Sequence, residues 1–261
     1  MKKSKKIIPI IIIILIILCI AGFIVYKYIE KNNEENILAQ EATNLSSLDI
    51  SKDTIDMNIK TTGKYAIIES AMKNCLKDYQ DAYKNFNNFT DNSNIEDFLN
   101  VKSYESDAPE FTNTKKSLSD FKTQLNEKID NLITKSNKDS IMEYIKKENL
   151  GNYYNNLYEK LMFDEDTIKS LESEKNEIQN IKTVLNDMID CMQNIFTYLS
   201  EHKNKWTIQN QMFYFEDDES LIEYNKLLTQ LQEKIDSAEN ILSNENTEEE
   251  NSNSTNKQQE D

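Results

Sequence analysis

His202 is the only histidine in the chain. A histidine metal site or a Ser-His-Asp triad needs partners for it, and no serine or cysteine nucleophile stands at a telling spacing. Its place at the end of a long helical pattern suits an imidazole at a helix C-terminus instead. Ser119-Asp120-Phe121-Lys122 has the Ser-x-x-Lys spacing of an acyl-transfer nucleophile and its base. Thirty lysines make a chance match expected, and the glycine-bearing companion motif is missing. Asp164-Glu165-Asp166 lacks the central glycine and closing glutamate of a calcium loop. Gly22, Gly63 and Gly151 are the only glycines and stand alone, which removes phosphate loops, dinucleotide turns and nucleophile elbows. The 46 acidic residues offer so many carboxylate pairs that none singles itself out for acid–base work. No catalytic, cofactor-binding or metal-ligating residue is expected, and the chain reads as a non-enzyme. Cys75 and Cys191 lie on or beside apolar seams. In an oxidising compartment they could bridge two long helices, and as buried free thiols they would act as small hydrophobes. Both readings stay open.

One stretch breaks the helical rhythm. In Lys205-Trp206-Thr207-Ile208-Gln209-Asn210-Gln211-Met212-Phe213-Tyr214-Phe215, apolar and polar residues alternate and a turn residue sits near the middle. Aromatic and β-branched side chains crowd it, so a short β-hairpin near 205–215 is expected. In this segment the chain resembles single-pass, membrane-anchored helical proteins of low-GC Gram-positive bacteria, where Trp-x-Ile, a turn and an aromatic strand separate two helices. The resemblance spans a small part of the chain and implies an anchored helical architecture without a particular activity. Trp206, Phe213, Tyr214 and Phe215 are the candidate partner contacts, because exposed aromatic residues anchor interfaces. The competing role is a plug closing one end of a bundle, since a lone aromatic cluster is more often buried than presented.

The elements that carry these residues follow from periodicity. Tyr65, Ile68, Met72, Cys75, Tyr79, Ala82, Phe86 and Phe89 recur in steps of three and four, which places them on one helical seam. That helix is expected to begin near Asp53, with Ile55 and Ile59 on earlier turns and Gly63 a weak point inside it. A short helix is expected around Ile95 to Val101. Asp107-Ala108-Pro109-Glu110 reads as the next helix start, followed by Phe111, Leu118, Phe121, Leu125, Ile129, Leu132 and Ile133. Two shorter amphipathic pieces, near 140–147 and 152–163, meet at Gly151, read as a C-cap. Leu171, Ile178, Ile181, Leu185, Met188, Met192, Ile195 and Leu199 form a third seam, and Leu221, Tyr224, Leu228, Leu231, Ile235, Ala238 and Leu242 a fourth. Four such seams predict an all-α protein whose helices pack as an antiparallel bundle.

Ile7 to Tyr26 carries no charge and is almost wholly Ile, Leu and Val. Twenty helical residues span roughly 30 Å, the thickness of a bilayer's hydrocarbon core. Lys2, Lys3, Lys5 and Lys6 precede it, which sets the N-terminus inside and the rest outside the cell membrane. The sequence thus divides into a cytoplasmic tail (1–6), a transmembrane helix (7–28), a juxtamembrane stalk (29–51), a helical-bundle domain (52–243) and a disordered acidic tail (244–261). Cleavage of the apolar run as a signal peptide is the alternative to an anchor. Beyond Tyr28 stand 25 lysines and all 46 acids, a net charge of −21, which repels nucleic acid and other polyanions. The partners this composition leaves are the bilayer, through 7–28, and a protein, either foreign or a second copy. An extracellular interaction module is the expected function. The rival is a ligand-sensing ectodomain, which with six residues before the span would have to act through a membrane partner.

Overall fold

The computed structural model describes residues 33–93, 97–98, 100–163 and 165–255, with side chains followed to 240 except at 165–167, 170, 174 and 239. The expected span at 7–28 and the last residues, 256–261, lie outside these. Among the described residues no helix is long and apolar enough to cross a membrane. In chain order the α-helices are α1 (Asn33–Ser46), α2 (Gly63–Asn92), α3 (Val101–Tyr104), α4 (Thr112–Lys135), α5 (Lys138–Lys146), α6 (Asn152–Met162), α7 (Glu165–Glu201) and α8 (Asp218–Thr255). Strands β1 (Trp206–Gln209) and β2 (Met212–Phe215) lie between α7 and α8. The protein is mostly helical, a bundle with one antiparallel hairpin, as the periodicity and the Trp-x-Ile stretch predict.

The described residues form two compact units. Those up to Asn88 together with Lys128–Gln179 make the first, and Phe89–Glu127 with the residues from Asn180 make the second. The stretch 52–243, expected as the helical-bundle domain, contributes residues to both units. The stretch 29–51, expected as a juxtamembrane stalk, contains α1 in its described part. Its α1 buries Leu38, Ala42 and Leu45 within the first unit, because these residues sit on the one apolar stripe the helix has.

In the first unit α2 buries Ile68, Met72, Cys75, Tyr79, Ala82 and Phe86, the expected seam. It does not reach back to Asp53. Gly63 adopts φ +57°, a left-handed conformation open to glycine at little cost, and the helix starts there. Residues 47–62 hold no helix and run back along α2. Gln80 donates to the carbonyls of Ile50 (3.0 Å) and Asp53 (2.8 Å), Lys73 to that of Asn58, and Glu69 accepts from the amides of Lys60 and Thr61. The order 80, 73, 69 against 50, 58, 60 makes this linker antiparallel to α2. Glu34 then accepts from Thr62 N (2.8 Å) and Oγ1 (2.9 Å), so the linker ends beside the start of α1. Gly151 is likewise not a C-cap. It has φ +94° and precedes α6 as its N-cap residue, while α5 closes on Lys147.

In the second unit α4 and α7 run antiparallel, shown by the pairs Lys115–Ser200 (2.9 Å), Lys122–Asp190 (2.6 Å) and the reciprocal amides of Asn126 and Asn186. Tyr198 to Ser220 (2.9 Å) and Asp187 to Lys234 (2.7 Å) set α8 antiparallel to α7. Helix α4 begins at Thr112 rather than at Pro109, yet Asp107 does cap it, accepting from Thr114 N (2.8 Å) and Oγ1 (3.0 Å). Helix α8 extends to Thr255 and so overlaps the stretch 244–261 for which composition predicts disorder.

Candidate functional site

The hairpin is built by its turn. Asn210 and Gln211 both have positive φ (51° and 61°), the pairing a two-residue loop needs to match the strand twist. Its register opposes Trp206 to Phe215, Thr207 to Tyr214, Ile208 to Phe213 and Gln209 to Met212. Alternation therefore sends Trp206, Ile208, Phe213 and Phe215 to one face and Thr207, Gln209, Met212 and Tyr214 to the other. The base is tied by Glu216 N donating to Lys205 O (2.8 Å) and by the Lys205–Asp217 ion pair (2.8 Å). Lys205 is the main reason the Asp217 carboxyl falls to about 2, and the same carboxylate accepts from Ser220 N as the cap of α8.

The inner face belongs to an aromatic core. Trp206 Nε1 donates to Leu199 O (2.8 Å), and its ring lies 5.6 Å from Phe111 and 5.1 Å from Phe213. Phe196 contacts Tyr104 (4.8 Å) and Phe111 (5.3 Å), while Tyr224 meets Phe213 and Phe215 from α8. Burial pushes the Tyr224 hydroxyl up to about 12 and keeps it neutral. The four aromatic residues singled out in the sequence thus part company. Trp206 is buried, Phe213 and Phe215 are half-buried, and Tyr214 alone is exposed, at 44%.

Helix α8 shows the same divided character. Leu231 is 4% exposed, but Leu221 and Leu228 of the same seam are 40% and 38% exposed. Tyr224 lies between them and is the seam residue the hairpin covers. The carboxylates of Glu216, Asp218 and Glu219 stand near this end of the helix and make no ion pair among the described residues.

A second feature has no signature in the apolar periodicity. Lys73 is wholly buried between the carboxylates of Glu69 (2.7 Å) and Glu41 (3.0 Å), themselves buried. Glu69 accepts besides from Lys60 N (2.9 Å), Thr61 N (2.9 Å) and Thr61 Oγ1 (2.8 Å), and Glu41 from Lys60 Nζ (2.6 Å). Burial raises the pKa of both glutamates. Hydrogen bonds from Lys73 and Thr61 at Glu69, and from Lys60 and Lys73 at Glu41, outweigh it and hold both below the ordinary 4.5. Every member is satisfied within the first unit, so the cluster is structural, a set of staples for the linker. Glu69, Lys73 and Gln80 share one stripe of α2 at helical spacing, a signal that looks like an ordinary solvated face.

Cys75 and Cys191 are both free thiols. Burial lifts Cys75 to about 12 and also raises Cys191, which favours the protonated thiol at both. His202 follows the last residue of α7, with Nδ1 2.9 Å from Tyr198 O and its ring stacked on Tyr198 at 4.3 Å. Lys122 pairs with Asp190, not with Ser119. No His, Cys, Asp and Glu group suited to a metal ion occurs among the described residues. No protein-family model matches the sequence, and no curated protein and no solved structure is significantly similar to it.

Proposed function

We propose that the chain is a single-pass membrane protein, anchored through 7–28, whose acidic helical domain stands outside the cell and docks another protein. The observation that supports this is the uncovered part of the α8 seam. The seams of the other three long helices are buried or half-buried, while α8 leaves Leu221 and Leu228 two-fifths exposed, with Glu216, Asp218 and Glu219 at the start of the helix. A seam of this spacing fits the apolar face of an amphipathic helix. The excess of acid there, Glu216, Asp217, Asp218, Glu219 and Glu223 against Lys205 and Lys226, favours a partner whose flanks carry lysine or arginine and disfavours a second copy, which would bring like charge against Asp218 and Glu219. Tyr214 and Met212, on the outer face of the hairpin, add exposed apolar surface in the same unit.

Photocross-linking in intact cells from Leu228, with Gln230 on the far side of α8 as the control, tests this reading. One dominant foreign protein, linked through a basic amphipathic segment and lost in a Leu221→Asp, Leu228→Asp variant, is the expected result. Links only between copies of this chain, or equal capture from Gln230, would overturn it.

A further inference from the structure

We propose that a groove at the start of α4 binds a neutral, polyhydroxylated ligand: a sugar or short oligosaccharide. The groove has a volume of about 590 Å³, within the range of small-molecule sites, and its lining belongs to the second unit alone. Phe98, Tyr104 and Phe121 give it apolar walls, with Phe121 steadied by a stacked Phe89 at 5.2 Å.

Charge narrows the ligand. Lysine is the only basic side chain type in the protein, apart from the single histidine, and none lines the groove among the described residues. A phosphate, sulfate or carboxylate would find no counter-charge. Of the three carboxylates that line it among the described residues, two are already engaged: Asp107 caps α4 through Thr114 and also accepts from Asn113, and Asp120 holds Lys116 at 2.6 Å. Asp97 and Asp120 are both exposed, so a cation would meet them as solvated carboxylates, where screening leaves little attraction.

Apart from Asp97, what remains available is uncharged. The side chains of Ser103, Ser106, Ser117 and Gln124 line the groove without a hydrogen-bond partner among the described residues. Three hydroxyls and an amide can each donate and accept, as sugar hydroxyls do, and the flat rings suit the C–H faces of a pyranose. Tyr104 also joins the groove to the aromatic core. Its ring lies 6.3 Å from Phe213, which in turn lies 5.1 Å from Trp206, the only tryptophan. Occupancy should therefore register in Trp206 fluorescence.

The test uses the full chain in micelles of a detergent without a sugar headgroup. It is titrated with chitotriose, maltotriose, cellotriose and mannotriose, then with spermidine and inorganic phosphate, reading Trp206 fluorescence and heat. A saturable response to at least one trisaccharide is expected. Gln124→Ala should weaken it about tenfold, the worth of one well-placed hydrogen bond, and Ser117→Lys should abolish it with the helical circular dichroism unchanged. Both positions are exposed, so neither change threatens the fold. No saturable heat with any of the four sugars would overturn the proposal, as would a sugar response that survives Ser117→Lys, or binding of spermidine or phosphate in their place.

Discussion

In the first unit a segment with no secondary structure, 47–62, is held against α2 by Glu69, Lys73 and Gln80. In the second a hairpin is held against α7 and α8 by Phe111, Phe196, Trp206 and Tyr224. Each fastens an irregular piece to long helices, one by buried charge and the other by rings. Buried charge is directional and leaves a large debt when one partner goes, whereas rings contribute area and tolerate reorientation. The two fastenings should therefore fail under different insults.

Lys73→Met leaves Glu69 and Glu41 buried without their cation and should cost about 3–5 kcal/mol in urea unfolding. Adding Glu69→Gln and Glu41→Gln should recover much of it, because the penalty lies in the stranded carboxylates. If the triple variant were no more stable than Lys73→Met, the staple would not be electrostatic. Phe196→Ala should cost about 3–5 kcal/mol as well, by opening space beside Tyr104 and Phe111, and no charge reversal should rescue it.

Acid should separate the two mechanisms. Glu41 and Glu69 have folded pKa values below their ordinary 4.5, so their contribution is complete above that value and drains away as pH falls through the folded ones. Melting temperature should drop from pH 6 to pH 3, and drop less in the triple variant, whose carboxylates are gone. An equal drop in both would place the acid sensitivity elsewhere. Asp107→Ala removes the cap on Thr114 and should cost about 1 kcal/mol, read by the same melts. Lys116→Ala breaks an exposed pair with Asp120 and should change nothing measurable.

How far the fold could be read beforehand depended on how local its cause was. The α2 seam, the turn at Asn210 and the capping role of Asp107 come from residues within a few positions of one another, and periodicity or side-chain type exposes them. Helices α2 and α4 start later than the apolar pattern predicts because Gly63 and Phe111 take positive φ, a backbone choice that the pattern passes over. The staples were hidden altogether. Glu41, Glu69 and Lys73 are residues that ordinarily face water, and only the return of a linker from a helix some thirty positions upstream buries them. The α8 seam shows the opposite limit. Its spacing matches the other three, yet spacing alone does not say whether the surface that covers it comes from the same chain.

The way Glu69 receives the linker has a consequence for exchange with solvent. Backbone without helix or strand is expected to trade its amide hydrogens quickly. Here the N–H groups of Lys60 and Thr61 end on a carboxylate that has no solvent of its own, and that carboxylate is fixed by a buried lysine on α2. These two amides exchange when their bonds to Glu69 open, and Lys73 helps to hold that carboxylate in place. In deuterium oxide they should be protected along with the middle of α2, and Lys73→Met should release them first.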